Sequence, residues 1–161
     1  MSKKLLLDTC FFIDLYSHNI EVREKADSYL NYFKEQKYKI ITSSIVVSEF
    51  WNSARDLKPF ENVPVFPFSQ IDGITSSHIN EKFAEIRGVD YDKKSKNCVS
   101  NDYMILSQCF NNQFTLVTKD SKLKKDIDLL ELKTEIVIPC IAYNDSLDLF
   151  IGKENGMEPI F

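Results

Sequence analysis

Short apolar runs alternate along this chain with longer stretches in which apolar positions recur every three or four residues. Continuous runs of that length predict strands covered on both faces, and the wider period predicts amphipathic helices. Lys4 to Leu7 is the first run, and it stops at Asp8. Cys10 to Tyr16 is expected to form a helical turn or two. In "EVREKADSYLNYFKEQ", Val22, Ala26, Tyr29, Leu30 and Phe33 share a helical stripe. "YKIIT" predicts a second strand, and the capping types Thr42, Ser43 and Ser44 open a helix over "IVVSEFWNSARDL". Residues 58–70, "KPFENVPVFPFSQ", hold three of the five prolines and predict an extended crossover.

The second half continues the alternation. A helix is expected from about Ser76 to Arg87, stopped by Gly88, followed by the polar loop "VDYDKKSKNCVS". "NDYMILSQCFNN" predicts a helix capped by Ser100, "FTLVT" a strand, and "KDSKLKKDI" a turn into a short helix. "EIVIP" predicts the last strand, ended by Pro139, with a short helix around Ser146 to Ile151. Strands alternating with helices imply one three-layer α/β/α domain over residues 1–161, with a mainly parallel central sheet and no repeat or linker.

Composition narrows this little. Hydrophobic residues make up 43% and charged residues 27%, as in an ordinary globular protein. The formal net charge of −4 gives no global attraction to nucleic acid, which leaves only local basic patches. Cys10, Cys98, Cys109 and Cys140 form no CxxC pair and show no zinc-like spacing, so reduced, mostly buried thiols in a cytoplasmic protein are expected. Asp8 and Asp14 interrupt the early apolar stretch, and no small-residue cleavage site follows. No apolar run approaches membrane-spanning length.

Asp8, directly after three leucines, is the first residue that points to chemistry. An unpaired carboxylate is costly to bury, so something must solvate, neutralise or bind it. In a parallel α/β sheet, strand C-terminal ends and helix starts gather along one edge, where ligands bind. Asp8 follows the first strand, Asp120 follows "FTLVT", and Asp102 opens a helix. Glu49 lies early in the helix after "YKIIT", on a stripe with Ile45 and Asn52. Singly, Asp102 and Asp120 would read as helix caps and Glu49 as a surface residue. Together, four acids at one edge repel strongly without a counter-charge, and a hard cation such as Mg²⁺ or Mn²⁺ supplies it through oxygen ligands.

Other polar residues carry less. Asp14 and Asp148 also interrupt apolar runs and are expected on solvated helix faces, and His18 and His78 are expected at the surface. Lysines flank the acids. Lys93, Lys94 and Lys96 precede Asp102, while Lys119, Lys122, Lys124 and Lys125 surround Asp120. Surface lysine needs no special cause. A metal site rimmed by lysines nonetheless suits a phosphate-bearing substrate.

The segments "LLLDTCFFIDL", "ITSSIVVSEFW", "SNDYMILSQCF" and "LVTKDSKL" resemble, in order and approximate spacing, the four signature segments of PIN-domain ribonucleases. The resemblance runs from about residue 4 to about residue 138 and is greatest to the toxins of bacterial VapBC toxin–antitoxin pairs. It implies a metal-dependent endoribonuclease whose Asp8, Glu49, Asp102 and Asp120 form the catalytic metal site, with Thr118 and Asn101 in support. The implied partners are RNA, an antitoxin protein and a second copy of the chain. Phe11, Phe12, Tyr29, Tyr32, Phe33, Phe50 and Trp51 are apolar candidates for the protein contacts. Members commonly read Asp-Thr-Asn at the first segment, whereas Cys10 takes the third place here. Residues 58–74 and the extension over about 139–161 exceed a minimal member.

Two alternatives come from other readings of the same residues. A haloacid-dehalogenase-type phosphatase also places a nucleophilic Asp after its first strand, but its second acid falls where Cys10 stands. A PIN-fold binding module without catalysis is the other.

Overall fold

The computed structural model describes residues 3–88, 100–143, 149–151 and 158–159. Strand β1 (Lys4–Leu7) leads into α1 (Thr9–Leu15) and α2 (Ile20–Glu35). β2 (Lys39–Ser43) leads into α3 (Ser44–Ala54), a 3₁₀ turn (Lys58–Phe60), β3 (Val65–Phe66) and α4 (Gln70–Ile86). Then follow α5 (Asn101–Asn112), β4 (Thr115–Thr118), α6 (Ser121–Lys133), β5 (Cys140–Tyr143), β6 (Leu149–Ile151) and β7 (Glu158–Pro159).

The sheet order is β3-β2-β1-β4-β5-β6-β7. The pairings from β3 through β5 are all parallel, and β6 and β7 add antiparallel strands. This is the expected three-layer α/β fold with a mainly parallel sheet. Leu5, Leu6 and Leu7 are each 0% exposed, which a strand achieves only when both faces of its sheet are covered. The chain moves outward from β1 to β2 and β3, and β4 then returns to the other side of β1. The strand order therefore reverses between the ends of β1 and β4. The Asp8 amide bonds to the Val117 carbonyl at 3.0 Å, carrying the ladder one residue past β1.

Four sequence expectations need correction. Helix α4 begins at Gln70 and not near Ser76, because Ser69 and Asp72 form a reciprocal capping box there. The acid of that box, Asp72, is 3% exposed and also accepts from the Asn111 carboxamide at 2.9 Å. "EIVIP" is not the last strand: β5 starts at Cys140, after the proline. Pro139 has no N–H for a ladder, but its carbonyl accepts the Leu116 amide at 2.9 Å and so leads into the strand.

Residues 149–151 form a strand where a helix was expected, pairing antiparallel with β5 from Ile141↔Ile151 to Tyr143↔Leu149. That pairing satisfies backbone groups that β5 would otherwise leave at an open edge. Asp14, expected on a solvated face, is 5% exposed. It accepts from Lys119 Nζ and from the Tyr143 hydroxyl, each at 3.1 Å. Asp148 and Cys98 lie outside the described residues.

The proline-rich crossover is anchored as well as extended. Phe60 packs its ring 4.7 Å from Phe12 and 5.4 Å from Phe50, tying the 3₁₀ turn to α1 and α3. Of the aromatic residues suggested for protein contacts, Phe11, Phe12, Tyr29, Phe33 and Phe50 belong to this core. Trp51 is 41% exposed.

Candidate active site at the ends of β1 and β4

Asp8 caps α1: its Oδ1 accepts the Thr9 amide at 2.8 Å. Its Oδ2 accepts the Thr118 hydroxyl at 2.7 Å, and Thr118 ends β4 on the facing strand. The Thr118 oxygen in turn accepts the Asp120 amide at 3.1 Å. One buried hydroxyl therefore fixes Asp8 and Asp120 relative to each other. Asp120 spends Oδ1 on capping α6, accepting the amides of Lys122 at 2.9 Å and Leu123 at 3.0 Å. The capping expectation for this residue is correct, and its second oxygen is not used by the cap.

Glu49 is partly buried on α3 and does not point freely to solvent. The Thr9 hydroxyl donates to Oε2, and the Asn101 amide donates to Oε1 at 3.0 Å. Thr9 was not singled out from the sequence; its place beside Asp8 at a helix start was the available signal. Asp102 occupies the first turn of α5, behind the Ser100 cap. Cys10, where the resemblance implies an Asn, still makes a polar contact, because its Sγ accepts the Lys119 amide at 3.2 Å. Burial and the neighbouring Asp8 push its thiol up to about 11, so it stays protonated at neutral pH.

The carboxylates feel one another. Burial raises the Asp8 carboxyl, the Thr118 and Thr9 hydrogen bonds oppose that rise, and the charges of Glu49 and Asp120 add to it. Burial pushes Asp102 up to about 6, reinforced by Asp8, Asp120, Glu49 and Asp126. Asp102 and Asp120 share a pocket of about 240 Å³ with Asn80, Arg87, Ser100, Tyr103, Lys122, Leu123 and Asp126.

The lysines divide. Lys119 turns inward to Asp14, and Lys124, whose side chain is 11% exposed, pairs with Asp128. Lys122 and Lys125 are exposed, and Lys93, Lys94 and Lys96 lie outside the described residues. His18 and His78 are exposed, as expected.

Among the described residues, no three His, Cys, Asp or Glu side chains are gathered closely enough to ligate one ion directly. Mg²⁺ keeps several waters and is commonly held by only one or two carboxylates. The donor set here is all oxygen, and it concentrates like charge against which a divalent cation is the natural complement. The residues fit such an ion held partly through water.

The sequence model of the PIN domain matches residues 5–126, and the chain belongs to the PIN-domain family. Similar solved structures include VapBC2 from Rickettsia felis bound to a DNA fragment from their promoter. It is 16% identical with a TM-score of 0.59, and the match covers 88% of this chain and 99% of that one. DNA-bound VapBC from Salmonella typhimurium is 20% identical with a TM-score of 0.51, covering 87% and 98%. A toxin–antitoxin complex from Klebsiella pneumoniae is 18% identical with a TM-score of 0.51, covering 73% and 88%. At these identities the likeness speaks to the fold. No curated protein matches the chain. Among the described residues, no helix is long and apolar enough to cross a membrane.

Proposed function

We propose that this chain is a metal-dependent endoribonuclease of the PIN family. Asp8, Glu49, Asp102 and Asp120 form its catalytic site with Mg²⁺ or Mn²⁺. The observation that carries the reading lies at the strand-order reversal between β1 and β4, where the charges of Glu49 and Asp120 help raise Asp8 and those of Asp8, Asp120 and Glu49 help raise Asp102. When bound, the ion lowers the pKa of a water and polarises a phosphoryl oxygen.

The chain's own groups do the positioning. Thr118 holds Asp8 and Asp120 in register, and Thr9 with Asn101 orients the Glu49 carboxylate toward the site. The buried Asp8 and the half-buried Asp102 supply negative charge to retain the cation, and Asp120 offers its uncapped oxygen. The exposed Lys122 and Lys125 on α6 suit flanking phosphates. A phosphatase of the haloacid-dehalogenase type is not favoured, because Cys10, bonded to the Lys119 amide, leaves no second acid behind Asp8.

The same reading makes the chain the toxin of a toxin–antitoxin pair. The sequence resemblance to VapBC toxins and the toxin–antitoxin complex among the similar structures support it. Exposed Ile13 on α1, Tyr16 at its C-terminal cap and Trp51 on α3 offer apolar surface to a protein partner. The test is cleavage of single-stranded RNA by purified protein. EDTA should abolish it and added Mg²⁺ or Mn²⁺ should restore it. Undiminished cleavage in EDTA refutes the metal-dependent reading.

A further inference from the structure

The pocket beside Asp102 and Asp120 has a far wall that the acidic site does not explain. Arg87, at the end of α4, is held from three sides. Its Nη1 donates to the Tyr103 hydroxyl at 3.1 Å, its Nη2 pairs with Asp126, and its guanidinium lies 4.8 Å from the centre of the Phe83 ring. Phe83 and Tyr103 stack with ring centres 4.7 Å apart and planes 19° from parallel. The Arg87 side chain is nonetheless 40% exposed, and it lines the cavity together with Asn80 and Lys122. An arginine has five donors in a planar fork, and these two partners leave some of them for a ligand.

We infer that this pocket is the subsite for a nucleotide next to the cleaved bond, with Arg87 and Lys122 gripping its phosphate. The inference rests on the nuclease reading of the adjoining acids. The pocket's geometry suits the role in two ways. Three contacts fix the guanidinium in advance, so little side-chain freedom is lost when it meets a phosphate fork. Its cavity is continuous with Asp102 and Asp120, so a strand lying across the acids passes it.

Charge adds a condition. Three carboxylates line the pocket, Asp102, Asp120 and Asp126, against two cations, Arg87 and Lys122. Asp126 is matched by Arg87, which leaves Asp102 and Asp120 to repel a phosphate until a divalent ion offsets them. RNA binding in this subsite therefore requires the divalent ion as well as Arg87. Arg87 stands alone at a helix end, outside the lysine clusters, where nothing in the sequence marks it.

The test compares full-length wild type with Arg87→Gln, Tyr103→Phe and Lys122→Ala, using Lys34→Ala on α2 as control. Each is assayed on a short fluorescent single-stranded RNA for cleavage in Mn²⁺, and for binding in Ca²⁺ by anisotropy. Arg87→Gln should raise KM about tenfold or more, the loss expected for a hydrogen bond to a charged group, with kcat within about twofold. Tyr103→Phe, which frees the guanidinium, and Lys122→Ala should give smaller rises in KM. Lys34→Ala should change nothing.

An unchanged KM in both Arg87→Gln and Lys122→Ala overturns the inference. So does a fall in kcat at constant KM, which would place Arg87 in the fold or at the reacting bond. If Arg87→Gln melts early, the exposed Lys122→Ala decides alone. If wild type cleaves nothing in any divalent ion, the nuclease reading fails, and the Ca²⁺ binding data still judge the subsite. Weaker binding by Arg87→Gln then supports it, and equal binding overturns it.

Discussion

The Thr118 hydroxyl donates to Asp8 Oδ2 at 2.7 Å while its oxygen accepts the Asp120 amide at 3.1 Å. Thr118 is fully buried, so its bond to the buried Asp8 has no solvent substitute, whereas Asp120 is exposed. Thr118→Val keeps the shape and removes both, leaving the buried Asp8 Oδ2 with only the weak Cys10 Sγ contact at 3.8 Å. The expected loss is about 1–3 kcal/mol in urea unfolding. Catalysis should fall at least about tenfold through kcat, because Asp8 and Asp120 lose their common reference. Thr118→Ser should keep most of both properties. Wild-type kcat in Thr118→Val would show that the hydroxyl only supports the fold.

Asp14 and Lys119 are a mostly buried ion pair, side chains 8% and 28% exposed, with Tyr143 as second donor to Asp14. Removing one member of such a pair costs about 3–5 kcal/mol, because the other charge is left buried. Asp14→Ala should therefore unfold at markedly lower urea than wild type, whereas Lys125→Ala on the exposed face should shift by no more than about 0.5 kcal/mol. The salt dependence of RNA binding should be unchanged in Lys119→Met, since its ammonium faces Asp14. A shallower salt slope in that variant would return Lys119 to the RNA path.

Asp102 titrates at about 6 in the fold, against about 3.9 in an unfolded chain. Between those values the native state holds a proton that the unfolded state has released. In EDTA, stability should therefore fall as pH rises from about 4 to about 6 and level off above that. Asp102→Asn should flatten this slope. At pH 7.5 it should gain about 1 kcal/mol after allowance for solvent screening, or about 2–4 °C in Tm. Calorimetry across pH in EDTA reads both effects. A lower Tm for Asp102→Asn would show that its charge is not repelled in the fold.

The parallel core of the fold was legible because its strands are buried on both faces and read as unbroken apolar runs. β1 falls on the run Lys4 to Leu7. Local pattern failed where long-range pairing decides. Residues 149–151 are recruited as a strand by β5, and nothing in "SLDLF" announces that partner. Pro139 was taken to end a strand that it precedes, because its missing N–H was visible and the bond its carbonyl accepts from Leu116 was not.

The acids could be picked out by their positions after strands and at helix starts. Their supporting groups could not. Thr9, Tyr143 and Arg87 act through residues 40, 129 and 16–39 positions away. Asp14 resembled any polar interruption of an amphipathic helix until Lys119 and Tyr143 were placed against it.

The central claim is that Asp8, Glu49, Asp102 and Asp120 act as one cation site. Mn²⁺ binding, followed by electron paramagnetic resonance on wild type and on Asp8→Asn, Glu49→Gln, Asp102→Asn and Asp120→Asn, tests it most directly. Wild type should bind Mn²⁺ saturably, Mg²⁺ should compete, and Asp8→Asn and Asp102→Asn should weaken binding at least about tenfold while circular dichroism shows an intact fold. Equal Mn²⁺ affinity in wild type and all four variants would contradict the account.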